Sequence, residues 1–235
     1  MDVHFEPWEG PKYSNPGVKG KKILVIGHTY PCNDYLNKEG CKEVPNKENG
    51  FCRGCGFTQR FCSEVTKETV KEYMGNMWQG RDGGRMKATH TKFLNSILPE
   101  VPSKEAYNYI AFYNFVQIAV NSNGERLGPT LDKYYELSIP PFLKTLAELQ
   151  PDGLIVWGKP AYERLRYLLY VNGYIDGNID TGDQFTVLYE GNEYPIMKIE
   201  HPSSPSFSTE LWTSRIREFV QSLKKRESVL ENIYF

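Results

Sequence analysis

The chain has 235 residues, enough for one domain with a well-buried core. Its 28 basic and 29 acidic residues leave a net charge of −1, which excludes a global basic field for nucleic acid; any such binding must use a local patch. No apolar run approaches the roughly 18 residues of a transmembrane helix, and Asp2, His4 and Glu6 leave no room for an apolar leader, so a cytoplasmic, membrane-free monomer is expected.

Residues 1–20 are polar and rich in Pro and Gly, and read as an irregular lead-in. Residues 22–27 (KILVIG) form a short, continuously apolar strand of the kind buried on both faces of a parallel sheet. Residues 28–63 follow as an insertion without periodicity that holds all 5 Cys. A helix is predicted over 66–78 with Thr66 as its cap. The glycine-rich run 80–85 (GRDGGR) reads as a flexible loop and a second helix spans 87–98. His90 falls there and reads as a surface or capping residue.

Residues 108–113 form the next strand, ending at Asn114, with Gln117 at a pocket edge. A helical pattern follows from Thr130 to Leu149, and Pro140-Pro141 predicts a break or kink in it. Residues 153–157 (GLIVW) are a third buried strand, and Pro160 opens a helix over 161–171. Residues 185–189 and 194–199 flank a turn and read as a hairpin, or as an antiparallel strand beside the fourth core strand. A helix over 209–225 closes the chain with a solvated, charged face. Strands alternating with helices predict an α/β fold: a parallel sheet with helices on both faces, in a single domain over 1–235.

The five cysteines are Cys32, Cys41, Cys52, Cys55 and Cys62. Cys52-Arg53-Gly54-Cys55 has knuckle spacing, in which two thiolates bind one ion and the glycine permits the turn. Structural zinc is expected, with Cys41, Cys52, Cys55 and Cys62 as ligands. Cys32, His28 and His90 are alternatives, and an Fe–S cluster is the lesser cofactor reading. Metal binding would hold together an insertion with little apolar core of its own.

Four strand ends carry the functional signal: Gly27-His28-Thr29-Tyr30-Pro31, Phe112-Tyr113-Asn114, Val156-Trp157-Gly158 and His201-Pro202-Ser203-Ser204-Pro205-Ser206. In a parallel sheet all four point to one edge, where open α/β sheets bind ligands. In this order they resemble the uracil-DNA glycosylase superfamily, over about residues 22–220. That resemblance implies a three-layer α/β/α sandwich around a central four-stranded parallel sheet, here with the Cys-rich insertion after the first strand. It also implies hydrolysis of an N-glycosidic bond on a flipped base in single- or double-stranded DNA. Asn114 would bind the polar edge of the base, and His201 would donate to a base carbonyl. Ser203, Ser204 and Ser206 would hold a phosphate, and Phe207 would fill the space left by the flipped nucleotide. Phe57 or Phe61 would stack on the base and Tyr30 would gate the pocket. The chain departs from the family at Thr29, where an Asp is usual. His28 is the substitute that can activate water, with Asn33 or Asp34 as further alternatives. A catalytically degenerate binding module on the same fold is the competing expectation.

Overall fold

The structure is a computed structural model and describes residues 5–31, 65–77, 80–117, 119–120, 130–175 and 182–224. In chain order its strands are β1 (Trp8–Glu9), β2 (Ile23–Gly27), β3 (Tyr30–Pro31), β4 (Ala111–Asn114), β5 (Ala119–Val120), β6 (Gly153–Trp157), β7 (Gln184–Tyr189) and β8 (Asn192–Ile199). Its helices are α1 (Val65–Met74), α2 (Gly80–Ile97), α3 (Ser103–Ala106), α4 (Thr130–Leu149), α5 (Lys159–Val171) and α6 (Thr209–Ser222).

Six strands form one mixed sheet in the order β1-β4-β2-β6-β8-β7. The pairs β4/β2, β2/β6 and β6/β8 are parallel, and β1 and β7 add antiparallel edges. β3 and β5 make a separate parallel pair. The apolar runs of β2, β4 and β6 are buried at every residue, as expected of strands packed on both faces. Alternate residues divide between two cores. Leu24, Ile26, Tyr113, Leu154, Val156 and Ile196 pack against Phe142 and Leu146 of α4 and Leu165 and Leu169 of α5. Ile23, Val25, Phe112, Ile155, Trp157 and Met197 pack against Phe93 and Leu94 of α2 and Ile216 and Phe219 of α6. Each of these side chains contributes roughly 1.5–3 kcal/mol by leaving water.

The hairpin expectation holds: β7 pairs antiparallel with β8 from Gln184–Met197 to Tyr189–Asn192. Its turn places Glu190 and Gly191 at φ of 49° and 73°. Two successive residues at positive φ match the twist of the flanking strands.

Three local expectations are corrected. Thr66 lies inside α1, fully buried, and does not cap it. The glycine-rich run 80–85 is helical and opens α2. Pro140 and Pro141 do not divide α4. Pro140 removes the donor for the carbonyl of Glu136, an exposed residue that water can serve. The apolar face of Ile139, Phe142, Leu143 and Leu146 then holds the helix on the core.

Candidate active site at the strand ends

Register brings the predicted strand ends to one level. Gly27 pairs with Asn114, Ile26 with Val156, and Trp157 with Ile199. The ladder continues one step further: Phe115 N–H donates to Gly27 C=O, Val116 N–H to His28 C=O, and Gly158 N–H to Ile199 C=O.

Asn114 is only 7 % exposed, yet its carboxamide makes no hydrogen bond among the described residues. Its amide oxygen and nitrogen are not among the fully buried, unpartnered polar atoms, so they keep contact with solvent and are open to a ligand. A Cβ on Gly27 would lie 2.5 Å from Asn114 Oδ1 and 3.0 Å from Phe112 Cζ, so the glycine leaves room for the amide. Gln117 fixes the turn beyond: its Nε2 donates to Asn114 C=O at 2.6 Å and its Oε1 accepts from Phe5 N–H at 2.9 Å. The expected pocket-edge residue is therefore a buried brace.

His201 Nδ1 lies 2.7 Å from Ser203 Oγ and 3.2 Å from Ser203 N. The backbone N–H can only donate, so Nδ1 accepts and the ring proton sits on Nε2. Burial lowers the His201 pKa, favouring this neutral donor form at neutral pH. Gly158, at φ 84°, would place a Cβ only 3.3 Å from His201 Cβ; a side chain there would crowd the histidine.

Beneath His201 lies an aromatic stack. The Trp157 ring meets His201 edge-on at 5.9 Å and His90 edge-on at 5.4 Å. His90 is buried and bonded through Nδ1 to the Tyr107 hydroxyl, which corrects its expected surface role. Burial first, then the neighbouring His201, pushes the His90 pKa down to about 3. The Trp157 indole N–H has no partner among the described residues.

Across the edge, His28 Nε2 is hydrogen-bonded to the Tyr135 hydroxyl of α4, and the two rings stack at 5.6 Å. The Arg164 guanidinium of α5 lies 5.9 Å from the Tyr135 ring. Burial first, then His201, pushes His28 down to about 4, so it is a neutral but weak base. Thr29 follows it, half-buried. Tyr30 is placed only through its backbone, paired with Ala119. Phe57, Phe61, Asn33, Asp34 and all five cysteines, the expected zinc ligands among them, lie outside the described residues.

The loop after β8 departs from expectation in two respects. Ser204 Oγ donates to Glu200 Oε1 at 2.7 Å, Ser206 Oγ donates to the same oxygen, and the two hydroxyls are 2.8 Å apart. These serines hold an internal carboxylate. Phe207 is 6 % exposed and stacks on Trp212, so it is a core residue and not a wedge. The exposed apolar side chain beside the loop is Leu211, at 48 %.

Sequence reasoning missed the buried place of His90 beneath the site, and missed Tyr135 and Glu200 altogether. The first two were legible: His90, Phe93, Leu94 and Ile97 share one helical face, as do Tyr135, Ile139, Phe142 and Leu146. Glu200 carried no such signal. Two open cavities, of about 660 and 460 Å³, lie beside Glu6 and Trp8 and between α4 and α5. Neither is lined by His28, Asn114 or His201, and their walls include charged surface side chains such as Lys144.

The chain matches no model of a known protein family and no curated protein sequence. No helix among the described residues is long and apolar enough to cross a membrane. The strand ends present an amide with a donor and an acceptor, an imidazole with its proton on Nε2, and a second, neutral imidazole. That set suits a planar heterocycle with alternating polar groups.

Proposed function

We propose that this chain is a DNA glycosylase-like protein on a three-layer α/β/α sandwich, which binds a flipped base at the ends of β2, β4, β6 and β8. The observation that carries this reading is the carboxamide of Asn114, a residue 7 % exposed whose amide has no hydrogen-bond partner among the described residues, on the same strand-end edge as the Nε2–H of His201. Asn114 reads the base edge. His201 donates to a base carbonyl and stabilises the charge that collects on the base as the glycosidic bond breaks. His28, neutral at pH 7, takes a proton from the attacking water. Leu211, in place of Phe207, fills the gap in the stack.

A second reading is favoured by a specific observation. Thr29 supplies no carboxylate where the family has Asp, and His28 is both engaged by Tyr135 and weakly basic. A module that binds a base or nucleotide without cleaving it needs only Asn114 and His201. Single-turnover incubation with oligonucleotides bearing uracil, hypoxanthine, xanthine, modified pyrimidines and ordinary bases separates the two. Abasic product that disappears with His201→Ala is expected of the enzyme. Retention of the oligonucleotide without product marks the binding module, and absence of both product and retention removes the DNA reading.

We also propose one structural zinc in the insertion, on the Cys52–Cys55 spacing. Metal analysis of the purified protein should give about one equivalent per chain; none, with all five thiols free, overturns it.

A further inference from the structure

The serines of the His201–Ser206 loop have their donors engaged inside the chain. Ser203 turns both its N–H and its hydroxyl to His201 Nδ1. Ser204 N–H donates to His201 C=O at 2.8 Å. Ser206 N–H lies 3.4 Å from Ser204 Oγ. That leaves two hydroxyls, Ser204 and Ser206, and both converge on one oxygen of Glu200. Two hydroxyls donating to a single anionic oxygen is how a loop would hold a phosphate oxygen. Here the anion is tethered, one residue before the histidine of the site. Hydrogen bonds from Ser206 and then Ser204 lower the Glu200 pKa, so it stays ionised at neutral pH.

We propose that Glu200 is a specificity-determining residue: its carboxylate occupies the seat of a phosphodiester on the Ser204 and Ser206 hydroxyls, so a nucleic-acid backbone docks there only by displacing it. This rests on the DNA reading for its ligand, but the seat itself is defined by the loop. Two consequences follow. A phosphate must compete with a carboxylate that pays no translational entropy to bind. It must also approach a like charge until that carboxylate swings out. The arrangement favours ligands recognised through the base over ligands held by their backbone.

The test compares wild type with Glu200→Ala and Glu200→Gln, and with Glu210→Gln as a control for loss of one nearby surface charge. Binding of a fluorescent oligonucleotide is read by anisotropy at two salt concentrations. Glu200→Ala frees both hydroxyls and should tighten binding about five- to tenfold, with a steeper salt dependence from the added phosphate contact. Glu200→Gln, which keeps an acceptor but loses the charge, should fall between. Glu210→Gln should change binding less than either. Equal or weaker binding by both Glu200 variants, or an equal gain in the control, overturns the proposal and makes Glu200 a brace of the loop. If Glu200→Ala fails to fold, Glu200→Gln decides alone. If no variant retains the oligonucleotide, the DNA reading fails separately, and inorganic phosphate becomes the probe. Shifts of the Ser204 and Ser206 amide resonances with phosphate in Glu200→Ala, absent in wild type, then uphold the seat; no shift in either overturns it.

Discussion

Single atoms decide much of the strand-end geometry. Gly27 shows this best, because an added Cβ would lie 2.5 Å from the Asn114 amide oxygen and 3.0 Å from the Phe112 ring, so the amide would have to leave its place. Gly27→Ala should therefore destabilise the fold by about 1–3 kcal/mol, the usual cost of overpacking, and abolish ligand binding along with it. Urea denaturation checks the first part and oligonucleotide anisotropy the second; full stability with a normal site would show that the amide has another place to go. The histidines invite a second test. The pKa of His28 is set first by burial and then by His201, so His201→Ala should raise it, whereas Tyr135→Phe should leave it low. Proton NMR titration of the His28 ring resolves both, and an unchanged value in His201→Ala would mean the two rings do not sense each other. At this scale the sequence placed Asn114 at the end of β4 and His201 just past β8, where the structure has them. It was a poor guide to Glu200 and Phe207. Which way a side chain turns in a short loop depends on partners that no local pattern encodes.

Helices show where local propensity is overruled. The run 80–85 reads as a loop because three of its six residues are glycine, yet α2 begins at Gly80. Its apolar stripe of His90, Phe93, Leu94 and Ile97 docks on the sheet, and tertiary burial outweighs the backbone entropy of the glycines. That entropy remains recoverable. Gly84 has nothing within 4 Å of an added Cβ, so Gly84→Ala should stabilise the protein by about 0.5–1 kcal/mol, seen as a higher denaturation midpoint with an unchanged slope. A lower midpoint would mean that this turn needs glycine for a reason outside helix propensity. The prolines of α4 teach the same lesson from the other side. A Pro-Pro pair predicts a break when read locally, but the helix continues: the two carbonyls left without donors belong to Glu136, which is exposed, and Leu137, which is half-buried, while the apolar face stays packed on the core. The core strands β2 and β6 were read to within a residue, because their apolar runs are buried at every position, but the expected start of β4 at 108 falls in a 3-10 turn over Tyr107–Tyr109, and the two-residue strands β1, β3 and β5 were not read.

Across the whole molecule, the parallel core of the sheet followed from alternation of strands and helices, and the antiparallel edge at β7 from its turn residues, whereas the order of the strands was not read from the sequence. The antiparallel strand β1 was not legible, because two residues in a polar lead-in carry no periodicity. The same architecture places two uncharged histidines inside one cooperative unit, with a consequence for global stability. His90 and His28 are held near pKa 3 and 4 in the folded state against 6.5 for the exposed ring. Below pH 6.5 the unfolded chain takes up protons that the folded chain refuses, so stability is fully present above 6.5 and falls as pH drops toward 4. Between pH 7 and 5, each histidine should contribute a loss on the order of 2 kcal/mol, in a range where ordinary carboxylates remain largely ionised. Urea titrations at pH 7, 6 and 5 measure that slope. His90→Phe separates its origin: removing the partner of the Tyr107 hydroxyl lowers stability at every pH, but it should also clearly reduce the slope, leaving the part from His28 and His201. A variant with the wild-type slope would place the proton uptake elsewhere and make the His90–Tyr107 pair a packing element alone.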